Sequence, residues 1–244
     1  MNVLSAFGNP RGVVAIVGAG GKTTLLYRLA LEGRAAGLRV LMTSTTHMGA
    51  PREGPAFFEE DEDRTDVIRA ALLSHGQAMV LGRRVRDDKC QGLVPARVDA
   101  LAVLADLVLV EADGARQRSF KLPADHEPVV PTSTRLVVVV AGLDVLGQPL
   151  DDAHVHRLDR VLVATGQRAG SAITAETVVA ALTYGDGYPA RVPNGAQSAV
   201  FLNKVRDGAR DTAAWIGERL VPPYDVVVVG SARAGAAERR EPSP

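Results

Sequence analysis

Cysteine is nearly absent from this chain of 244 residues, in which Cys90 is the only one. A single cysteine excludes an internal disulfide and every zinc or iron–sulfur site that is built from several cysteines. It is also typical of a protein that works in a reducing compartment. We expect Cys90 to be a small buried apolar residue.

An excess of charge of either sign is absent as well. The 28 Lys and Arg residues balance the 28 Asp and Glu residues, so the formal net charge is zero. A sequence-independent grip on nucleic acid or on an anionic membrane therefore has no support from bulk electrostatics. Any anionic ligand has to be bound locally.

Long apolar runs are also absent. None approaches the roughly 18 residues that span a bilayer, and residues 1–12 contain no basic segment followed by an apolar stretch. Hydrophobic residues make up 46% and charged residues 23% of the chain, which is ordinary globular composition. We therefore expect a cytoplasmic protein that binds neither nucleic acid nor membrane.

Short runs rich in Val, Ile and Leu alternate along the chain with Ala- and Leu-rich stretches of helical spacing. Such runs are typical of strands that are buried on both faces of a parallel sheet. The sequence predicts strands over 13–17, 39–43, 78–81, 107–111, 136–141, 160–163, 199–202 and 225–229, and helices over 24–36, 65–74, 175–182 and 210–220. This alternation indicates an α/β fold, with a mostly parallel sheet and helices on both faces.

The organisation along the chain favours one P-loop α/β domain over residues 1–232, with insertions near 51–66 and 112–134. The first insertion contains the acidic run 59–63, which we interpret as a solvated loop. The second is long and polar, and loops of that length in compact domains are usually functional or mobile. The charged tail, 233–244, is expected to be disordered.

The strongest motif is an apolar strand, a glycine turn and then Lys-Thr-Thr at the start of a helix, in residues 13–24. Glycines let backbone N–H groups approach phosphate oxygens, Lys22 can reach the terminal phosphates, and the Thr23 hydroxyl can ligate Mg²⁺. A turn that merely connects strand to helix requires neither the lysine nor the paired threonines. We predict a nucleotide-binding P-loop, or Walker A motif, made of Gly18, Ala19, Gly20, Gly21, Lys22, Thr23 and Thr24.

Only Ala19 and Gly20 separate Gly18 from the Gly21–Lys22 pair, whereas the usual P-loop has four residues there. The loop resembles the shorter G-x-x-G-K-T form of Mur-type ligases. Such ligases carry further domains, which we do not expect this chain to hold.

An apolar strand that ends in acid, residues 107–111, resembles a Walker B segment. Glu111 and Asp113 are two residues apart, so an extended backbone directs both carboxylates to one face, where they could flank one Mg²⁺. One carboxylate would hold the metal and the other would orient the attacking group, and the sequence leaves open which does which. The alternative is a pair of solvated carboxylates at a strand end. We predict catalytic roles for Lys22, Glu111 and Asp113, and metal binding by Thr23, Glu111 and Asp113.

Four stretches of the sequence together resemble the YqeC-type proteins, which are regarded as accessory factors of selenium-dependent molybdenum hydroxylases: residues 17–24, 40–48, 110–114 and 121–131. The resemblance continues through residues 141–144, 156–157, 173–176 and 201–204. It implies a nucleotide-binding P-loop protein that helps to prepare a selenium-containing molybdenum cofactor. The partners it implies are that cofactor and a selenium-dependent hydroxylase.

Residues 203–206 read Asn-Lys-Val-Arg, where P-loop GTPases have Asn-Lys-x-Asp. Asn203 and Lys204 are therefore predicted to contact the nucleotide. Arg206 cannot accept hydrogen bonds from the guanine edge as an aspartate does. Unless Asp207 reaches the base, this disfavours GTP and favours ATP.

Two functional hypotheses follow. In the first, a Mg²⁺-dependent ATP-binding enzyme transfers a phosphoryl or nucleotidyl group during cofactor maturation, with the second substrate near Thr45, Thr46, Arg116 and His126. Thr45 and Thr46 belong to a hydroxyl-rich stretch after a strand, where ligands bind in open α/β sheets. In the second, a nucleotide-gated chaperone delivers the cofactor to an apo-hydroxylase without chemistry on the cofactor. The sequence does not separate the two.

Overall fold

A computed structural model describes residues 1–51, 54–59, 64–206 and 208–240. The helices are α1 (Val3–Ala6), α2 (Lys22–Ala35), α3 (Thr65–His75), α4 (Pro95–Leu101), α5 (Leu158–Thr165), α6 (Ala175–Leu182) and α7 (Arg210–Glu218). The strands are β1 (Gly12–Gly18), β2 (Val40–Ser44), β3 (Met48–Gly49), β4 (Ala56–Phe58), β5 (Gln77–Leu81), β6 (Arg84–Arg86), β7 (Lys89–Cys90), β8 (Leu107–Glu111), β9 (Phe120–Lys121), β10 (Thr134–Gly142), β11 (Val155–His156), β12 (Gln197–Asn203), β13 (Val226–Ser231) and β14 (Ala236–Arg240).

The centre of the molecule is a nine-stranded sheet in the order β14-β13-β12-β10-β1-β8-β2-β5-β4. Every neighbouring pair is parallel except β13 and β14, which are antiparallel. The predicted α/β fold with a mostly parallel sheet is therefore confirmed, and it is compatible with a P-loop NTPase. The carboxyl ends of β1, β2, β8, β10 and β12 lie side by side at one edge of the sheet.

Helices cover both faces of the sheet, as the alternation of elements predicted. Apolar residues of α1 and α2 pack on one face, against Val14, Ile16 and Met42 among others. Apolar residues of α3 to α7 pack on the other face, against Val13, Val17 and Val110 among others. The central strands are buried on both sides, which is why they appear in the sequence as continuous apolar runs.

One predicted strand is wrong. Residues 160–163 belong to helix α5, which ends at Gly166 in a left-handed C-cap. Only Val161 of this helix is fully buried. A short apolar run fits either a strand or one turn of helix, and the run alone did not separate them.

Two other expectations need correction. The first insertion, 51–66, is not a loop throughout, because Ala56–Phe58 form β4 and pair in parallel with β5. The tail, 233–244, was expected to be disordered, but Ala236–Arg240 within it form β14 at the edge of the sheet. Residues 52–53, 60–63 and 241–244 lie outside the described residues, and they include most of the acidic run.

Within the described ranges, no helix has both the length and the apolar character needed to cross a bilayer. Cys90 is fully buried, as expected for a small apolar residue. The second insertion, 112–134, contains the short strand β9 and the first residue of β10, and Phe120, Lys121 and Leu122 within it are buried. The insertion therefore contributes to the interior of the protein.

Candidate functional site

The glycine loop, which we define as Gly18–Thr24, joins β1 to α2 at the sheet edge where the carboxyl ends of the strands meet. Three of its residues, Gly18, Gly20 and Gly21, have positive φ angles of 95°, 90° and 123°. A Cβ atom on Gly18 would overlap the Val140 carbonyl oxygen, and one on Gly20 would overlap the backbone of Gly142. Both conformation and space therefore require glycine at Gly18 and Gly20.

Four backbone N–H groups of the glycine loop, those of Gly21, Lys22, Thr23 and Thr24, have no acceptor among the described residues. They form the first turn of α2, a helix of 14 residues without a side-chain cap. Uncapped donors at a helix N-terminus carry partial positive charge and form a ready site for an anion. The same four residues line a cleft of about 870 Å³.

Lys22 is 4% exposed and lies against the loop that precedes it. Its Nζ donates to the Gly18 carbonyl at 2.7 Å and lies 3.2 Å from Asp113 Oδ1 and 3.8 Å from Glu111 Oε1. The two carboxylates that the sequence placed on one face thus meet the same ammonium group.

Asp113 is almost fully buried between two lysines. Its Oδ2 accepts the Gly18 N–H at 3.0 Å and lies 2.9 Å from Lys121 Nζ, which also donates to Glu127 Oε2 at 2.9 Å. Lys121 is 2% exposed. We call Lys22, Glu111, Asp113, Lys121 and Glu127 the charged array. Each buried lysine in it contacts two carboxylates, which offsets part of the cost of removing the charges from water.

Glu111 differs from Asp113 in its partners. Its Oε2 accepts the Thr23 hydroxyl at 2.7 Å, and burial raises the pKa of its carboxyl group, opposed by the nearby charge of Lys22 and the bond from Thr23. A hydroxyl and a carboxylate side by side are oxygen ligands that suit Mg²⁺. The described residues contain no group of three or more His, Cys, Asp and Glu side chains placed to hold a metal ion. A cation here would therefore complete its coordination with ligand oxygens and water.

The cleft in front of the glycine loop is rich in positive charge, although the chain as a whole is neutral. Seven Lys and Arg residues and three carboxylate residues line it. The cations are Lys22, Arg86, Lys89, Arg116, Arg118, Arg157 and Lys204, and the carboxylates are those of Asp88, Glu111 and Glu127. The positive charge that could bind an anion locally is therefore not confined to the glycine loop.

Backbone strain is concentrated in the same cleft. Five non-glycine residues of the described chain have positive φ, and four of them line the cleft: Arg116, Gln117, Arg157 and Lys204. Such conformations cost of order 1 kcal/mol or more each and tend to cluster where a protein binds its ligands.

The predicted second-substrate residues are only partly brought together. Thr46 and Arg116 line the cleft. The Thr45 hydroxyl instead donates to the Val129 carbonyl at 2.6 Å, and His126 is exposed outside the cleft lining. Thr45 therefore anchors the second insertion.

Asn203, the last residue of β12, contacts the glycine loop, whereas Lys204 contacts Ser119 and Asp144. The Asn203 Nδ2 donates to the Gly20 carbonyl at 2.8 Å, and its Oδ1 accepts the Ala232 N–H at 3.0 Å. Lys204 Nζ lies 2.9 Å from Asp144 Oδ2. Arg206 is exposed, and Asp207 lies outside the described residues.

Sequence reasoning missed Lys121, Glu127 and Arg157 as members of the site. Lys121 lies between the buried residues Phe120 and Leu122, and a lysine inside an apolar stretch is a signal that could have been used. The sequence prediction included His126 but not its neighbour Glu127. Arg157 is brought to Glu127, at 3.0 Å, only by the packing of distant segments.

Glu127→Gln is expected to lower the free energy of unfolding by about 2 kcal/mol near neutral pH, because Lys121 and Arg157 lose a charged partner. Burial opposes ionisation of Glu127, but the bonds from Arg157 and Lys121 lower its pKa from 4.5 to about 2. The ion pairs therefore contribute fully above about pH 4.5, and the contribution is lost as the pH falls towards about 2. Urea unfolding of the wild-type chain and of the variant across this pH range measures the difference in the free energy of unfolding. A difference that does not change with pH would contradict the assigned ion pairs of Glu127.

The comparisons with known proteins point to one family. The family model described as YqeC protein matches residues 14–159, a span that contains the whole charged array. A curated protein of Escherichia coli strain K12, named "Uncharacterized protein YqeC", is 35% identical over 195 residues, which are 79% of this chain and 75% of that protein. No solved structure matches the chain.

Proposed function

Because this chain belongs to the YqeC family, we propose that it binds ATP with Mg²⁺ at the glycine loop. We propose further that it uses the nucleotide in preparing the cofactor of a selenium-dependent molybdenum hydroxylase, as the sequence resemblance implies. The reaction class is transfer of a phosphoryl or nucleotidyl group to a second substrate bound in the same cleft.

The observation that carries this proposal is the set of four unpartnered N–H groups at Gly21–Thr24, which open on the cleft. A triphosphate supplies the acceptors that these donors lack. Lys22 stands at the same place and can exchange its contact with the Gly18 carbonyl for phosphate oxygens. The glycine conformations at Gly18, Gly20 and Gly21 let the backbone approach the ligand closely.

The residues around Thr23 fit Mg²⁺. Thr23 and Glu111 would hold the ion, since their oxygens already lie 2.7 Å apart. Mg²⁺ would supply positive charge to the phosphate oxygens during transfer. Asp113 is committed to Gly18, Lys22 and Lys121, so its role is to position the two lysines. We thus propose Glu111 as the metal ligand of the pair.

For the base, the proposal favours ATP over GTP because Arg206 replaces the aspartate that reads guanine. Asn203 supports the nucleotide site through the backbone of the glycine loop, at Gly20. Lys204, held by Asp144, lines the cleft.

Glu111→Gln is expected to weaken Mg²⁺ binding about 10- to 100-fold in the presence of ATP and to leave ATP binding without metal nearly unchanged. Isothermal titration calorimetry of the full chain with ATP and GTP, with and without Mg²⁺, measures both effects. Glu218→Gln, an exposed carboxylate on α7, is the matched control. Failure of the wild-type chain to bind any nucleotide would refute the proposed function, whereas equal losses with and without metal would refute only the role of Glu111.

Incubating the protein with ATP, Mg²⁺ and molybdenum cofactor, with and without an apo-hydroxylase, separates group transfer from nucleotide-gated delivery. A covalently changed cofactor supports transfer. Slow hydrolysis that only an apo-hydroxylase stimulates would instead favour nucleotide-gated delivery.

A further inference from the structure

We propose that the cleft holds a second anion site, formed by Arg116, Arg118 and Arg157, which binds a phosphate monoester or a similar dianionic group on the second substrate. This inference deepens the proposed function and rests on it, because the nucleotide phosphates are placed at the glycine loop.

The position of this site follows from a continuous set of contacts. Asp113 accepts the Gly18 N–H of the glycine loop and contacts Lys121. Lys121 belongs to β9, which pairs in parallel with β11 so that His156 lies beside Lys121. Arg157 follows directly. The arginine therefore lines the same cleft as Lys22 and the glycine loop.

The segment that carries the other two arginines lies against the glycine loop itself. The Arg118 carbonyl accepts the Gly20 N–H at 3.1 Å, and the Ser119 carbonyl accepts the Gly142 N–H at 2.9 Å. Residues 115–118 form a tight turn, closed by the Arg118 N–H and the Ala115 carbonyl at 2.9 Å. The turn fixes Arg116 and Arg118 beside the place assigned to the triphosphate.

Positive charge in this part of the cleft is only partly compensated. Arg157 lies 3.0 Å from Glu127. Arg118 donates to two carbonyl oxygens, those of Asp152 at 2.6 Å and Arg116 at 3.4 Å. Arg116 is exposed and has no carboxylate partner in the described ranges. Among the residues that the structure describes, two of the three guanidinium groups thus have no carboxylate partner, which favours an anionic ligand.

The pKa of His156 reflects the same positive surroundings. Burial lowers its pKa, and the charges of Lys121, Arg157 and Arg116 lower it further, against the opposing effect of Glu127. Three cations therefore act on one point of the cleft wall.

The backbone also indicates a built site. Arg116, Gln117 and Arg157 have φ angles of 46°, 62° and 63°, which are left-handed values that disfavour non-glycine residues. The fold thus maintains strained conformations at both segments that present the arginines to the cleft.

The rest of the second substrate has room beside these arginines. A recess of about 480 Å³ shares Arg116, His156 and Arg157 with the cleft, and its other lining residues include Leu158 and Leu162. Asp152 and Asp159 also line the recess, so the excess of positive charge is confined to the cleft side. This arrangement suits an organic phosphate whose charged end faces the nucleotide.

The test is titration of inorganic phosphate into the full chain after Mg²⁺ and a non-hydrolysable ATP analogue have saturated the glycine loop. We expect Arg116→Gln/Arg157→Gln to weaken phosphate binding at least about tenfold, since two charge-assisted contacts are lost. The affinity for the ATP analogue should change less than about twofold. Arg135→Gln, an exposed arginine at the opposite end of β10, is the matched control and should change neither.

An unchanged phosphate affinity in the double variant, or displacement of phosphate by the ATP analogue, would overturn the second site. If the double variant does not fold, the Arg116→Gln single variant, whose side chain is exposed, must itself weaken phosphate binding, or the site is wrong. Failure of the analogue to bind the wild-type chain would refute the proposed function instead. Titration of the nucleotide-free chain and the same variants would then decide the arginine site separately.

Discussion

Lys22→Met is expected to lower ATP turnover about 100- to 1000-fold while the protein stays folded. The variant removes the charge that would neutralise the terminal phosphates, and the loss of one such electrostatic contact typically costs this much in rate. The methionine stem fills the space of the buried lysine side chain, which is 4% exposed. Asp113 keeps Lys121 and the Gly18 N–H as partners. Steady-state phosphate release, together with circular dichroism, checks both halves of the prediction.

The control for Lys22→Met is Arg135→Gln, which also removes one positive charge but at the opposite end of the central strand β10. Its turnover should match that of the wild-type chain. Normal turnover in a folded Lys22→Met variant would contradict the assignment of the glycine loop.

The central sheet could be predicted because its strands are buried on both faces and are therefore continuously apolar. Residues 107–111 were predicted with the observed limits, and Ala175–Leu182 form the predicted helix with Thr174 as its N-cap. The prediction of a strand over residues 160–163 was wrong because a short apolar run does not distinguish one side of a helix from a strand. Strand β14 was not predicted because its residues are charged or have small side chains. Only its pairing with β13 makes this segment a strand.

The candidate site also has one part that the sequence predicted and one part that it did not. Residues of the glycine loop have conformational requirements that local sequence reveals, since Gly18 and Gly20 must adopt positive φ. Lys121 and Arg157 depend instead on long-range packing, because β9 and β11 pair across a separation of more than thirty residues. A single sequence carries little record of such pairing. The part of the site that local turn chemistry builds was thus predictable, and the part that tertiary contacts assemble was not.

Asp113→Asn is expected to lower the free energy of unfolding by about 3–5 kcal/mol, as removal of one partner from a buried ion pair typically does. The asparagine leaves Lys22 and Lys121 without the carboxylate they share, at 3.2 and 2.9 Å. Lys121→Met should cost a similar amount, because Asp113 then lacks its shortest ionic contact. Urea unfolding of the wild-type chain and both variants measures these losses.

The double variant Asp113→Asn/Lys121→Met should lose less free energy of unfolding than the two single variants together, by about 2 kcal/mol or more. The reason is that it removes both charges of the pair, so that neither is left buried without the other. The exposed pair Asp66 and Arg69, 3.0 Å apart on α3, supplies the matched control, with an expected coupling below about 1 kcal/mol. If the single variants do not fold and the double variant does, the coupling is demonstrated directly. A coupling no larger than that of the exposed pair would show that Asp113 and Lys121 act independently, and Asp113 would then no longer be a residue that positions the lysines.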